Sequence, residues 1–312
     1  MISADDLEVE LSFVRARAAG SIAGVFGPQS VTWKVDCEAA IFLGAGRALL
    51  LQLAHPWVAT AIAEHSNVFV DPIGRFHRTF RTMFTMVFGT LDQAMETARR
   101  LHARHAKITG LMPMTAGPFA AGSRYFANES SALHWVHATL LETALIAGDL
   151  VLPELSVEER ARYYAESRMF AALFGIPQSV LPPTWEEFTA YNEAMWASNT
   201  LTVTPQAQAI AEQVLRVSQL GFGAPEWYRA VTAELLPPRL RRDFGLPYGA
   251  AEQRLAAGAL HWIRRLYPAL PGPLRCVGPY QEALGRLSGK ARPSLLIQCS
   301  NQLWIGQNAL GW

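Results

Sequence analysis

Two helix-start signals constrain the fold of this chain more than any other feature. Ser156-Val157-Glu158-Glu159 and Thr184-Trp185-Glu186-Glu187 each set a hydroxyl three residues ahead of a carboxylate, and each opens a run with apolar residues at three- and four-residue intervals. A pair of this kind satisfies backbone N–H groups that the first helical turn leaves without partners. Pro182-Pro183 ends whatever precedes the second signal, because proline has no N–H to continue a helix. Strand signals are poor: there is no Asn-Gly or Asp-Gly turn, and few stretches alternate over strand length.

Helical spacing covers Cys37–Leu53, Trp57–His65, Phe76–Phe88, Leu91–Gly110, Ser130–Gly148, Thr204–Ser218, Pro225–Glu234, Pro238–Phe244 and Gly249–Tyr267. The expected fold is all-α. No fixed-period repeat and no Gly-, Ser- or charge-rich linker divides the chain, so one helical domain over residues 1–312 is expected. The stretches Gly110–Gly122 and Pro268–Pro273 read as loops, and the apolar tail Ser294–Trp312 shows no helix signal.

Half the residues are hydrophobic and 17% are charged, which excludes global disorder. With 27 basic against 26 acidic residues, the chain lacks the basic excess of a dedicated nucleic-acid binder. Three scattered cysteines, Cys37, Cys276 and Cys299, suit neither a disulfide framework nor a cysteine zinc site, and they point to a reducing cytoplasm. Acids at Asp5 and Asp6 stand where a signal peptide needs a basic start. The longest apolar stretch, Ala39–Ala54, is broken by Arg47 and falls short of the roughly 20 residues of a membrane span, so a buried core helix is expected. Peripheral membrane contact stays open, because mean hydropathy is slightly positive.

Chemistry gathers in one window. Seven of the eight histidines lie between His55 and His137. Imidazole is the commonest metal ligand and acid–base group near neutral pH. Most of these rings can equally be hydrogen-bonded helix residues. His102/His105 and His134/His137 are three apart, so each pair shares a helix face, and two such helices could offer four nitrogens to a metal. Four neutral imidazoles would leave a divalent charge poorly compensated, and the Glu-x-x-His pattern of di-iron bundles is absent. Just upstream, Arg75 and Thr79 share a face with Arg78 adjacent, an arrangement suited to an anion or a reduced oxygen species; the alternative is a solvated basic face.

These segments resemble the bacterial branch of the rubber oxygenase (latex-clearing protein) and MpaB-type oxygenase family. The resemblance rests on His55-Pro56-Trp57-Val58-Ala59 with Glu64-His65-Ser66, then Asp71-Pro72-Ile73-Gly74-Arg75 with Arg78-Thr79, and Phe88-Gly89-Thr90. It continues through His105-Ala106-Lys107-Ile108-Thr109-Gly110, Tyr125-Phe126-Ala127, Leu133-His134-Trp135-Val136-His137-Ala138-Thr139 and Phe174-Gly175-Ile176-Pro177. Leu181-Pro182, Leu235-Leu236-Pro237-Pro238 and Phe244-Gly245-Leu246 complete it, over about 35 to 285.

The resemblance implies an all-helical, globin-like core around a b-type haem held by one proximal histidine. Arg75 and Thr79 take the family's Arg-x-x-x-Thr positions beside the haem, and the proximal iron ligand falls on His105, with His102 its nearest rival. It further implies dioxygen and a hydrophobic small molecule as co-reactants. Two departures stand out. The family's lysine beside the threonine is Arg78 here, which stays protonated and cannot ligate, so the sixth iron position is expected to be open or water-filled. The family's distal glutamate base has no position-matched counterpart; Glu64 or His65 could serve. Arg75 could bind a haem propionate instead of shaping the oxygen side, and Tyr125, His137 and Thr139 could line the pocket or simply pack. Two other readings stay open: a haem-binding sensor or store without turnover, and a non-haem metal enzyme using the His-x-x-His pairs.

Overall fold

The computed structural model describes residues 1–66, 68–216 and 224–310. The architecture is all-helical, with one two-stranded exception. Helix α1 spans Ala4–Arg17 and α2 Val31–Asp36; α3 spans Ala45–Leu53, α4 Pro56–His65, α5 Pro72–Phe88 and α6 Leu91–His105. Strands β1 (Thr109–Leu111) and β2 (Arg124–Phe126) form an antiparallel pair. Then come α7 (Ser130–Asp149), α8 (Val157–Ala172), α9 (Trp185–Ala197), α10 (Pro205–Arg216), α11 (Glu226–Leu235) and α12 (Pro238–Asp243). The chain closes with α13 (Ala250–Leu266), the single turn α14 (Gly272–Arg275), α15 (Gly278–Leu287) and α16 (Leu295–Ile305).

Both start signals operate. Ser156 Oγ accepts the Glu159 N–H at 3.2 Å and Glu159 returns the bond to the Ser156 N–H at 3.0 Å; Thr184 Oγ1 accepts the Glu187 N–H at 3.2 Å. A third box, Thr90 with Gln93, opens α6. Only Gly89 and Thr90 separate α5 from α6, and the two helices pack together, so they form an antiparallel hairpin. The N-terminal end of α5 and the C-terminal end of α6 therefore lie at one end of the molecule.

Helix α7 joins two apolar cores. Its Leu133 packs with Trp33, Phe84, Phe88 and Met95 from α2, α5 and α6. Its Trp135, Ala138, Leu141 and Leu145 pack with Leu50, Leu51, Leu53, Phe188 and Leu240. The two buried indoles have their N–H groups satisfied, Trp33 by the Val87 carbonyl and Trp135 by the Leu51 carbonyl, each at 2.9 Å. The apolar stretch before His55 is a core segment, as expected, and no single helix among the described residues is long and apolar enough to cross a membrane. Its one charge, Arg47, is buried and compensated by Glu142 at 2.7 Å, the Thr143 hydroxyl at 2.6 Å and the Leu235 carbonyl at 2.9 Å.

Several boundaries differ from the sequence expectations. Residues Ala39–Gly44 form a 3₁₀ segment rather than the start of a long α-helix. This segment packs on α7, and a Cβ at Gly44 would stand 2.3 Å from Thr143 Cγ2. The expected helix over Leu91–Gly110 ends at His105, because Thr109–Leu111 pairs instead with Arg124–Phe126. The stretch Gly110–Gly122 is thus partly a hairpin rather than a plain loop. The tail expected to lack helix carries α16, whose Trp304 stacks on Phe42 at 4.3 Å. Helices α1 and α15 were not anticipated either, and the end of the expected run Thr204–Ser218 lies outside the described residues.

Candidate functional site

The αα-hairpin sets the frame. Asp71 caps α5: its Oδ1 accepts the Gly74 N–H at 2.9 Å, and its Oδ2 pairs with Arg78 at 3.0 Å in an exposed ion pair. One turn inward, Arg75 has no ion-pair or hydrogen-bond partner for its guanidinium among the described residues. Burial, and then the charge of Arg78, push its pKa below the usual arginine range. Thr79 is exposed and donates its hydroxyl to the Arg75 carbonyl at 2.9 Å, which leaves its oxygen lone pairs available. The anion-facing role expected of all three residues thus falls mainly on Arg75, because the charge of Arg78 is already balanced.

His105 closes α6 at the same end. Its ring has no hydrogen-bond partner among the described residues, and burial, followed by the charges of Arg104 and His102, lowers its pKa from 6.5 to about 4. The imidazole is neutral at physiological pH, as a metal ligand must be. His102, its rival, instead faces the chain's N-terminus, with Nε2 3.2 Å from the Ile2 carbonyl.

The hairpin after His105 builds a second polar group. Tyr125 is fully buried, and its hydroxyl donates a short hydrogen bond to Glu64 Oε2. His65 Nε2 lies 3.0 Å from the same hydroxyl oxygen. The tyrosine's one proton is committed to Glu64, so His65 Nε2–H must be the donor in that contact. Burial, then the bond to the Glu64 carboxylate, raises the Tyr125 pKa and keeps the phenol protonated. Gly110 stands opposite Tyr125 in the strand pair, and a Cβ there would meet Tyr125 Oη at 2.6 Å and Glu64 Oε2 at 2.9 Å. Only glycine leaves room for this Glu64–Tyr125–His65 group. Glu64 and His65 remain 39% and 31% exposed, so a carboxylate and an imidazole edge face solvent over a rigid phenol. Such a carboxylate can accept a proton while the phenol holds it in place.

His137 is placed elsewhere. It lines a cavity of about 110 Å³ with Phe80, Met83, Leu141, Phe170 and Asp36, and neither His105, Arg75 nor Thr79 reaches that lining. Its Nε2 bonds the Ser167 carbonyl at 3.0 Å, its Nδ1 has no partner, and burial holds its pKa at about 4. Thr139 bonds the Val136 carbonyl and accepts from Gln52. The cavity is well below the roughly 300 Å³ at which ordinary ligand pockets begin. The Asp36 carboxyl there, hydrogen-bonded by Tyr163 at 2.8 Å and raised by burial to about 7, has no sequence signal and was not anticipated.

The two His-x-x-His pairs do not come together as one ligand group among the described residues. His102 faces Ile2, His134 stacks on the Tyr191 ring at 4.2 Å, and His137 faces Ser167. Among the described residues, the one cluster of three potential ligands is Cys37, Glu38 and Cys276, with no histidine.

Fold and comparison with known proteins together define the class: an all-helical oxygenase catalytic domain. Residues 33–265 match the family described as ER-bound oxygenase mpaB/B'/Rubber oxygenase, catalytic domain, and the chain belongs to that family. Neither the curated proteins nor the solved structures give a significant match.

Proposed function

We propose that this protein is a haem b-dependent oxygenase acting on a hydrophobic small molecule, with His105 as the proximal ligand. The carrying observation is the pairing, at one end of the α5–α6 hairpin, of a neutral imidazole without a partner and a desolvated guanidinium without a counter-ion. Arg75 is half-buried, and a partly desolvated cation is favoured by a nearby anion, which no described residue supplies. A haem propionate is such an anion, and the donor set fits the group. When bound, the haem supplies dioxygen activation.

The chain's own residues divide the remaining work. His105 ligates through a neutral nitrogen, and Arg75 neutralises a carboxylate while Thr79 presents a hydroxyl oxygen beside it. Arg78, permanently protonated and held by Asp71, contributes charge but no lone pair. Glu64 is the base that takes a proton from substrate. Tyr125 fixes its Oε2, and His65 anchors Tyr125 from behind. The half-buried Trp57, Ile108 and Phe119 around Tyr125 form an apolar wall suited to a hydrophobic substrate.

The test is optical. Purified or haemin-reconstituted protein should show a Soret band and a b-type pyridine haemochrome, and His105→Ala should abolish or greatly weaken both. Oxygen uptake should then appear on some member of a hydrophobic substrate panel. A protein that stays colourless after reconstitution defeats the proposal. A stable ferrous–oxy form without oxygen consumption would leave a haem-binding protein without turnover.

A further inference from the structure

Cys37 and Cys276 are 239 positions apart in sequence, yet their Sγ atoms lie 3.2 Å from each other. That is closer than the about 3.5–4.0 Å at which non-bonded heavy atoms rest. The backbone brings them together independently of the side chains. Glu38 pairs with Cys276 in an antiparallel bridge, and the Val277 N–H donates to the Cys37 carbonyl at 2.8 Å. Both residues are further anchored through their own N–H groups, Cys37 to the Trp33 carbonyl and Cys276 to that of Gly272.

The two thiols are not equivalent. Cys37 is 5% exposed at the end of α2, whereas Cys276 is half-buried between α14 and α15. The hydrogen bond between them lowers the Cys276 pKa against the opposing effects of burial and Glu38, with a smaller contribution from Arg275, and raises that of Cys37, which burial raises further. Cys276 is therefore the thiol that solvent reaches, and the Arg275 charge beside it favours its thiolate, the two properties an attacking thiol needs.

The geometry points to an intramolecular Cys37–Cys276 disulfide formed reversibly by thiol–disulfide exchange. The Cys276 thiolate attacks a low-molecular-weight disulfide RSSR, forming a Cys276–SR mixed disulfide and expelling RS⁻. Cys37 loses its proton and attacks Cys276 Sγ, expelling the second RS⁻. Two cysteine thiols are oxidised, RSSR is reduced to two thiols, and no other oxidant is needed.

A divalent metal held by Cys37, Glu38 and Cys276 is the rival use of the same atoms, which all lie within 4.8 Å of one another. The carboxylate is not free for it. Glu38 Oε1 pairs with Arg275 at 2.9 Å and Oε2 accepts the Tyr267 hydroxyl at 2.8 Å. The bond would also have a mechanical consequence. Cys276 lies beyond the family-matched residues 33–265, so oxidation would tie α15 and α16 covalently to the catalytic domain. Helix α16 packs on α5, the helix that carries Arg75.

The full-length protein is equilibrated with oxidised glutathione, quenched by alkylation and mapped by mass spectrometry without reduction. Alkylatable thiols should fall from the three of the reduced chain to one, with a cross-linked peptide pair holding Cys37 and Cys276 and lacking two hydrogens. Cys299→Ser should form the same link, Cys37→Ser should not, and dithiothreitol should restore all thiols. Three free thiols after equilibration, oxidation confined to glutathionylation of exposed Cys299, or one zinc per chain that is lost in Cys37→Ser would each overturn the assignment.

Discussion

Lowering the pH should weaken this protein through four desolvated histidines, opposed chiefly by one buried acid, Asp36. His55, His134 and His137 are buried and His105 half-buried, and burial lowers the pKa of each from 6.5 to about 4. The unfolded chain thus binds these protons more tightly than the folded one. Their contribution to stability is intact above about pH 6.5 and is lost as pH falls from there toward 4. At about pH 5.5 the linkage amounts to about 1.4 kcal/mol per ring, or about 5.5 kcal/mol for the four. Asp36 runs the other way. Burial raises its pKa from 3.8 to about 7, so the folded state gains stability as pH falls between those values, by about 2 kcal/mol at about pH 5.5. The net loss between about pH 7.5 and 5.5 should be about 3.5 kcal/mol, a sizeable part of the roughly 5–15 kcal/mol of a typical domain. Asp36→Asn keeps an acceptor for the Tyr163 hydroxyl but cannot titrate, so its loss over the same interval should be nearer about 5.5 kcal/mol. Urea unfolding followed by far-UV circular dichroism at both pH values reads the two differences directly. If wild type and Asp36→Asn lose the same stability, or neither loses any, the assignment of these groups as buried and neutral is wrong.

Substitutions at two places, the Glu64–Tyr125 bond and the Arg47–Glu142 pair, probe the remaining structure. Glu64→Gln should lower kcat by about 10²–10⁴-fold, as expected for loss of a general base, while Tyr125→Phe, which only frees that base, should lower it less and leave the Soret band unchanged; equal kcat in wild type and Glu64→Gln would remove Glu64 from the chemistry. Arg47→Met strands the buried Glu142 carboxylate and should cost about 3–5 kcal/mol in urea unfolding, with much of that restored in the Arg47→Met/Glu142→Gln double variant; a double variant no better than the single would show that the loss was one of packing.

The site was legible to the extent that its residues are local in sequence. Arg75 and Thr79 are one turn apart on a helix whose period is plain, and His105 sits in a recognisable His-Ala-x-x-x-Gly context. Glu64, His65 and Tyr125 could each be singled out, but not their mutual bonds, because β1 and β2 are three residues each and leave no periodicity to read. His137 shows the opposite limit. Its three-residue spacing from His134 is real, yet what lies opposite each ring is chosen by α8 and α9, which bring Ser167 to one and Tyr191 to the other.

What the amino-acid order determined by itself was the helical class, most helix starts and the core character of the segment before His55, since capping, proline geometry and apolar period act within a few residues. Tertiary structure alone decided that His102, His134 and His137 face Ile2, Tyr191 and Ser167, that Arg75 rather than Arg78 lacks a counter-charge among the described residues, and that Cys37 meets Cys276. Those are questions of partnership across long stretches of chain. Burial and hydrogen bonding between distant segments set the protonation and availability of a side chain, and no local pattern encodes them.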